Sequence, residues 1–120
     1  MKGILILAHG SRRIETKHMM DNMMEMIKER NPETLIENAF MELCDPLLAV
    51  GLDNLVDAGA TDITLIPYFL FEGIHIKEDI PGEINEYLEG KEGITVKMGQ
   101  TIGADPRLAD IISERIKEAK

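Results

Sequence analysis

The chain has 120 residues, of which 44% are hydrophobic, and this content is sufficient for one compact core. We therefore expect a single domain over residues 1–120. Acidic residues outnumber basic ones by 22 to 13, and the resulting net charge of −9 repels nucleic-acid phosphates. No apolar run approaches the roughly 18 to 20 residues that a membrane-spanning helix needs. The composition argues against nucleic-acid and membrane partners.

The single cysteine, Cys44, excludes an internal disulfide and a zinc site built from cysteines. The N-terminus enters an apolar segment directly, without the charged region and cleavage site of a secretory signal. These features predict a cytoplasmic location. They also imply that any metal ion is held by histidine and carboxylate.

The first half of the chain alternates between strand and helix patterns. Gly3–Ala8 is a continuous apolar run, typical of a strand buried on both faces of a parallel sheet. Methionines at helical spacing predict the first helix from about Glu15 to Arg30. A second strand is predicted over Leu35–Met41. The second helix should follow, with Asp45 as its cap and Pro46 at its first position.

The same alternation continues in the second half. The second helix should end at Gly59, and Asp62–Phe69 reads as a third buried strand. A third helix is predicted from near Asp79 or Pro81 to Leu88, and Ile94–Met98 gives a weaker fourth strand. The pair Asp105-Pro106 repeats the cap-plus-proline signal for the last helix. The apolar residues of that helix fall on one face: Leu108, Ile111, Ile112 and Ile116.

This alternation predicts an α/β fold with a four-stranded parallel sheet covered by helices on both faces. If every crossover is right-handed and both faces are covered, the expected strand order is 2-1-3-4. The first and third strands are then neighbours. Ligands of such sheets bind beyond the carboxyl ends of the strands, where the order reverses.

Two histidines follow these neighbouring strands. His9 comes directly after the first strand, and His75 follows the third. Because adjacent strands lie about 4.8 Å apart, the two imidazoles can converge on one divalent ion such as cobalt, nickel, iron or zinc. Glu42, just past the second strand, could complete the metal site or accept a proton. The alternative is that the histidines bond local backbone groups and Glu42 is a solvated acid.

Two further segments carry candidate ligand contacts. Residues 10–13 (Gly-Ser-Arg-Arg) could present backbone N–H groups to an anion, although they match no Walker or dinucleotide-binding motif. Tyr68, Phe69 and Phe71 crowd ahead of His75, where they could either pack on a flat ligand or fill the core. His18 lies within the first helix and is expected to be solvated.

Five motifs together resemble the CbiX-type chelatases over essentially the whole chain: Leu7-Ala-His9-Gly-Ser-Arg12, Phe40-Met-Glu42, Pro67-Tyr-Phe-Leu-Phe71-Glu-Gly73-Ile-His75, Asp79-Ile-Pro81 and Gly103-Ala-Asp105-Pro-Arg107. The resemblance implies a chelatase fold related to the flavodoxin-like class. It also implies insertion of a divalent metal ion, with cobalt first and nickel or iron as alternatives, into sirohydrochlorin. The metal ion is then a substrate, and no organic cofactor is expected.

The resemblance further implies that His9, His75 and Glu42 bind the metal ion. The chain is similar to the short, single-unit form of the family that works as a homodimer, so we expect a site in the cleft between two copies. Arginines could steer the carboxylates of the tetrapyrrole. The predicted tetrapyrrole contacts are Ser11, Arg12, Arg13, Tyr68, Phe71 and Arg107.

Two other functions remain open at this point. A carrier that delivers cobalt or nickel without touching a tetrapyrrole would use the same histidines. A flavin- or nucleotide-binding module would use the Gly10-Ser11 turn for phosphate.

Overall fold

The structure is a computed structural model, and it describes residues 1–71, 73–74 and 78–119. The predicted ligand His75 lies outside these residues. Four strands alternate with four helices in the described part, as the apolar pattern predicts. In chain order the elements are β1 (Lys2–Ala8), α1 (Ile14–Arg30), β2 (Leu35–Phe40), α2 (Leu48–Asp57), β3 (Asp62–Pro67), α3 (Ile80–Leu88), β4 (Thr95–Met98) and α4 (Pro106–Glu118).

The strands form one parallel sheet in the order β2-β1-β3-β4, which confirms the predicted order. The strand β1 is central, and it pairs residue by residue with Leu35–Phe40 of β2 and with Asp62–Pro67 of β3. Since all strands run in the same direction, their carboxyl ends meet at one edge of the sheet. The residues that follow β1, β2 and β3 are therefore brought together.

The larger part of the core lies between the sheet and the pair α2 and α3. Leu52 and Leu55 of α2 are fully buried there against Leu5 and Leu65 of the sheet. Gly51 lets α2 approach closely, because a Cβ atom at this position would lie 2.8 Å from the Cβ of Ala39 and from a methyl of Leu5. This close packing follows from the apolar stripe of α2 and the buried faces of the strands.

The opposite face of the sheet is covered by α1. Met20 and Met24 of this helix are buried against Ile6, Ile36 and Phe40. Successive residues of a strand point to opposite faces, so neighbours such as Leu5 and Ile6 serve the two different cores. Helices on both faces are thus confirmed. Among the described residues, none of the helices has the length and apolar character that crossing a lipid bilayer requires.

The start of α2 differs from the prediction. Asp45-Pro46 does not cap this helix, which begins at Leu48 after Leu47. The Phe40 N–H instead donates to the Pro46 carbonyl at 2.8 Å, and Phe40 forms a bridge with Leu47. The loop after β2 therefore turns back along the end of the strand before the helix begins. The same sequence signal is correct at α4, where Asp105 Oδ1 accepts a hydrogen bond from the Arg107 N–H at 2.9 Å.

Three acidic side chains lie near one another around α3. Partial burial raises the pKa of the Glu83 carboxyl above its ordinary value, and the charges of Asp79 and Glu86 raise it further. The folded state therefore binds this proton more tightly than the unfolded state does. As the pH rises from the unfolded-state pKa through the raised folded-state pKa, the free energy of unfolding falls.

Replacing Glu83→Gln should consequently stabilise the protein near neutral pH by a few tenths of a kcal/mol, the size of a repulsive pair along a helix. Near about pH 3, where glutamates are protonated in both states, the variant and the parent should unfold with equal free energy. Urea unfolding at the two pH values measures this difference. Glu33→Gln, in the turn before β2, serves as the control, and an equal gain there would contradict the assignment to α3.

Candidate functional site

The candidate site is built where β1 and β2 end. The parallel pairing of these strands continues past their last residues, because the Met41 N–H donates to the Ala8 carbonyl at 2.9 Å and the Glu42 N–H donates to the His9 carbonyl at 3.2 Å. These bonds place Glu42 directly beside His9. The sequence placed both residues at adjacent strand ends, and the structure brings them into contact.

Two unusual backbone conformations accompany this arrangement. Gly10 has a φ of +102°, and a Cβ atom at this position would collide with the Glu42 carbonyl oxygen. Leu43 has a φ of 71°, which is uncommon for a residue with a side chain. Glycine adopts a positive φ readily, so the strained residue is Leu43, and strain of this kind persists only where the surrounding structure holds it in place. Leu43 directly follows Glu42, and Gly10 lies against the Glu42 carbonyl oxygen.

The side chains of His9 and Glu42 face each other. His9 Nε2 lies 3.3 Å from Glu42 Oε1, and the two side chains are 61% and 57% exposed. The other ring nitrogen, Nδ1, lies 3.4 Å from the Gly10 carbonyl oxygen, which accepts a hydrogen bond in the tautomer that carries its proton on Nδ1. A neutral Nε2 would then direct a lone pair at a carboxylate oxygen. Such a contact is favourable only with a positive charge between the two atoms, supplied by a proton or a metal ion.

The separation suits a shared metal ion. Zinc bonds to histidine nitrogen and carboxylate oxygen are each about 2.1 Å long, so two ligands of one ion lie roughly 3.0 Å apart at a right angle and about 3.4 Å apart at the tetrahedral angle. The observed 3.3 Å falls within this interval. Within the described residues, no cluster of three or more His, Cys, Asp or Glu side chains is placed to hold an ion. The described residues thus offer two facing donors at this point and no complete set of ligands.

A cavity of about 490 Å³ opens beside this pair. Phe69 forms one wall, and its ring contacts the His9 ring edge to face, with centroids 6.4 Å apart and planes at 83°. Phe71, which is 82% exposed, lies at the rim. Aromatic and thioether groups on one side and ionisable groups on the other suit a flat ligand with a polar centre. The lining residues are His9, Met41, Glu42, Phe69, Phe71, Gly73 and Asp79.

The cavity carries acidic charge. Glu42 and Asp79 both line it, in a chain whose net charge is already −9. A cleft of one sign focuses the field and raises the local concentration of counter-ions. The acidic groups among the described lining residues favour a divalent cation over a carboxylate.

The aromatic residues divide between the two faces of the sheet. Tyr68, a predicted ligand contact, is half-buried and packs with Met20 and Phe40 on the α1 side. Phe69 points to the other side and lines the cavity. The sequence pattern placed it with the aromatics that could pack on a flat ligand, but the predicted tetrapyrrole contacts included only Tyr68 and Phe71. The hydrogen bond from the Tyr68 N–H to the Leu7 carbonyl at 2.7 Å shows that the strand pattern continues to this point. Alternation along β3 is the signal that could have separated the two residues.

The predicted arginine contacts near His9 are bonded to neighbouring residues of the same turn or are exposed. Arg13 forms an ion pair with Glu15 at 2.8 Å, and its N–H donates to the Ser11 hydroxyl at 3.1 Å. Arg12 is exposed at the surface of the same turn. Ser11, Arg12 and Arg13 come two to four residues after His9 in the chain, and none of them is among the described residues that line the cavity.

Arg107 lies elsewhere. Its guanidinium donates to both carboxylate oxygens of Asp105 at 2.8 Å, and this hydrogen bonding holds the pKa of the Asp105 carboxyl well below its usual range. It lines a separate crevice with Ile66, Thr101 and Leu108. The structure does not place Arg107 in the cavity beside His9.

The chain matches one protein family over nearly its whole length. The CbiX family model matches residues 3–119. The sirohydrochlorin cobaltochelatase of Methanococcoides burtonii is 34% identical, and the alignment covers 97% of this chain and 95% of that protein. The chain is also similar to the sirohydrochlorin ferrochelatase of Priestia megaterium, at 34% identity, over 98% of this chain and 44% of that protein.

Solved structures show the same two sizes. A cobalamin biosynthesis CbiX protein from Marinobacter aquaeolei VT8 superimposes with a TM-score of 0.79 at 30% identity, covering 98% of this chain and 96% of that one. The sirohydrochlorin chelatase SirB from Bacillus subtilis subspecies spizizenii, in complex with cobalt, gives a TM-score of 0.90 at 30% identity, covering 98% of this chain and 50% of that one. This chain thus matches nearly all of some relatives and about half of others.

The contact between Gly10 and the Glu42 backbone can be tested with alanine. Gly10→Ala combines a positive φ with a collision, so it should lower the free energy of unfolding by more than the ~1–3 kcal/mol of backbone strain alone, and it should move Glu42 away from His9. Gly59→Ala is the matched control, because Gly59 has a φ of +105° and open space around it. Denaturant unfolding and cobalt titration of both variants measure the effects. Equal losses in both variants would contradict a special role for Gly10.

Proposed function

The chain belongs to the CbiX family, and we propose that it is a metal chelatase that inserts a divalent metal ion into sirohydrochlorin. The observation that carries this proposal is the His9–Glu42 pair, with 3.3 Å between Nε2 and Oε1, beside a cavity walled by Phe69. Curated relatives of the chain are named sirohydrochlorin cobaltochelatase and sirohydrochlorin ferrochelatase. We propose cobalt as the first candidate metal substrate, with nickel and iron as alternatives.

In the proposed reaction, His9 and Glu42 first bind the metal ion. Imidazole nitrogen and carboxylate oxygen accept several first-row divalent ions, and the acidic cavity attracts them. We propose His75 as a further ligand on the basis of its place in the sequence after β3. Because His9 and Glu42 are largely exposed, an ion can reach them directly and leave again.

The same pair can balance the protons of the reaction. Insertion places one divalent ion on the ring nitrogens and removes two pyrrole protons. As the ion moves to the ring, the lone pairs of His9 Nε2 and Glu42 Oε1 become available, and each can accept one proton. The charge between the two atoms is thereby kept positive throughout. Exchange of the metal ion for protons means that His9 Nε2 and Glu42 Oε1 do not face each other without a cation between them.

The cavity walls would hold the tetrapyrrole. Phe69 and Phe71 offer apolar surface to the flat ring, and His9 lies edge-on to Phe69. The acidic interior keeps the carboxylates of the substrate at the rim, where Arg12 and Arg13 follow His9 in the chain. This division orients the ring with its nitrogens toward the metal pair.

We also propose that the working form is a homodimer in the cytoplasm. The open cavity covers only part of a macrocycle, and a second copy would supply further walls and a second set of His9 and His75. The single cysteine suits a reducing compartment. Residues 1–120 would then form one chelatase unit.

The metal-binding role of the pair can be tested by titration. His9→Ala and Glu42→Gln should each weaken cobalt binding by at least about tenfold, because one of the two facing donors is removed. His18→Ala, which removes an exposed histidine of α1, should leave the affinity unchanged. Calorimetric titration measures the constants, and circular dichroism checks the fold. Parental affinity in His9→Ala would contradict the assignment.

The chelatase reaction is tested directly with sirohydrochlorin and cobalt, nickel or iron(II), each corrected for the uncatalysed rate. The parent chain should accelerate the spectral change of metal insertion, and Glu42→Gln should reduce the catalysed rate by about 100-fold or more through loss of a proton acceptor. Glu37→Gln, on the strand that leads to Glu42, is the control. Metal binding without acceleration by the parent would instead indicate a metal carrier.

A further inference from the structure

Phe69 lies beside His9 because the pairing of β1 with β3 continues past the last residue pair of the two strands. Leu7 and Pro67 form that last register pair, and His9 and Phe69 each follow two positions later. The Tyr68 N–H donates to the Leu7 carbonyl at 2.7 Å, so the ladder still joins the two segments between these points. Equivalent positions of neighbouring strands direct their side chains to the same face of a sheet. The side chains of His9 and Phe69 therefore meet.

Met41 occupies the equivalent position on the other side of His9. Ala8 and Phe40 form the last register pair of β1 and β2, and His9 and Met41 come directly after them. Met41 and Phe69 both pack against the core on the side of α2 and α3, and both line the cavity beside His9. His9 is thus the central member of a row, with an apolar side chain at each side.

The polar contacts of His9 do little to fix the orientation of its ring. The distance of 3.4 Å between Nδ1 and the Gly10 carbonyl oxygen exceeds the usual range of about 2.7–3.2 Å for an N–H···O bond. Nε2 lies 3.3 Å from Glu42 Oε1, but in the tautomer protonated on Nδ1 both of these atoms are acceptors. The His9 side chain is also 61% exposed. In the metal-free protein, the orientation of the imidazole therefore depends on packing.

Phe69 is a firm support for this ring. Its side chain is half-buried against the core, and its carbonyl accepts a hydrogen bond from the Ile102 N–H at 2.8 Å. The centroids of the Phe69 and His9 rings are 6.4 Å apart with the planes at 83°, within the roughly 4.5–7 Å range of attractive aromatic pairs. Phe71 lines the same cavity but is 82% exposed at its rim. Among the described aromatic residues, the ring contact to His9 comes from Phe69.

We infer that Phe69 is a positioning residue, whose ring holds the His9 imidazole in the orientation that directs Nε2 toward Glu42 and the metal ion. This inference rests on the proposed function and adds to it how the metal-free protein presents one of its ligands. A side chain that is already fixed loses less conformational entropy when the ion binds. The strength of aromatic pairs corresponds to about two- to twelvefold in a binding constant.

The first test measures cobalt(II) affinity by calorimetric titration without a tetrapyrrole, so that the role of Phe69 as a cavity wall does not contribute. Phe69→Leu keeps an apolar side chain but removes the ring, and it should weaken cobalt binding about fivefold. Phe69→Tyr keeps the ring and should bind cobalt like the parent. Phe71→Leu is the matched control, and its cobalt affinity should also equal that of the parent. Parental affinity in Phe69→Leu, or an equal loss in either of the other two variants, would overturn the proposal.

A double-mutant cycle separates positioning from a general effect on the structure. In a His9→Ala background, Phe69→Leu should cause no further loss of cobalt affinity, because Phe69 acts through the imidazole. A second loss of about fivefold in this background would show that Phe69 acts independently of His9, and the proposal would be wrong.

The orientation of the imidazole can also be observed without any metal ion. The proton and carbon resonances of the His9 ring, assigned with His9→Ala, should shift in Phe69→Leu because the ring current of Phe69 is lost. Those of His18, which is exposed on α1, should stay in place. Unchanged His9 resonances would contradict the contact.

The insertion assay is read separately from these measurements. A parent that binds cobalt in the expected pattern but does not accelerate metal insertion refutes the chelatase function alone. Catalysed insertion by the parent, with a cobalt affinity and His9 resonances that do not depend on Phe69, refutes the positioning role alone.

Discussion

The pairing of backbone beyond the ends of β1 and β2 is the constraint on which the site depends. Hydrogen bonds from Met41 to Ala8 and from Glu42 to His9 extend the parallel ladder past the strands. The backbone positions of His9 and Glu42 are therefore fixed as they are within a sheet. Side chains on such a ladder lie close together without a dedicated hydrogen-bond network. The separation of His9 and Glu42 is therefore set mainly by the backbone, and both side chains stay accessible.

This backbone pairing requires unusual backbone conformations at Gly10 and Leu43. Gly10 is required because the turn toward α1 passes against the Glu42 carbonyl, and Leu43 adopts a positive φ as the chain leaves the strand end. The loop then closes onto β2 through the bond from Phe40 to Pro46. The strain is held by elements that are themselves buried, since Phe40 lies in the core beneath α1. The site is thus rigid at its base and open at its top.

In the proposed function, the metal ion binds in the acidic interior of the cavity and the substrate carboxylates lie at its rim. The acidic groups among the described lining residues favour a divalent cation over a carboxylate of the tetrapyrrole. Edge-to-face contact between His9 and Phe69 joins the metal pair to the apolar wall. The proposed function thus places a cation site and a surface for a flat ring in one small region.

The chelatase fold was accessible from sequence because its signals are local and mutually consistent. Continuous apolar runs such as Gly3–Ala8 identify buried parallel strands, and right-handed crossovers leave the 2-1-3-4 order as the expected solution. Given that order, His9 and Glu42 had to lie at adjacent strand ends. Their proximity follows from topology, although their roles as ligands remain predictions, as does that of His75.

Other features depended on contacts that no local pattern specifies. Asp45-Pro46 is the same cap-plus-proline pair as the one that correctly predicts the start of α4. At α2, however, the Phe40 N–H bonds the Pro46 carbonyl, and the helix begins two residues later without an Asp45 cap. The choice of Phe69 over Tyr68 as a cavity wall required knowing how far the strand pairing extends beyond Pro67.

The sequence by itself thus determined the order of elements, the faces of the helices and the edge of the sheet at which His9 and Glu42 meet, because these follow from periodicity and chain direction. The tertiary structure decided the 3.3 Å separation of the pair, the identity of the aromatic wall and the exposure of the α4 isoleucines. The physical reason is that distances and burial depend on which distant segments occupy the same space. An apolar stripe identifies the face on which a helix can pack, but only the tertiary structure shows whether the chain covers that face.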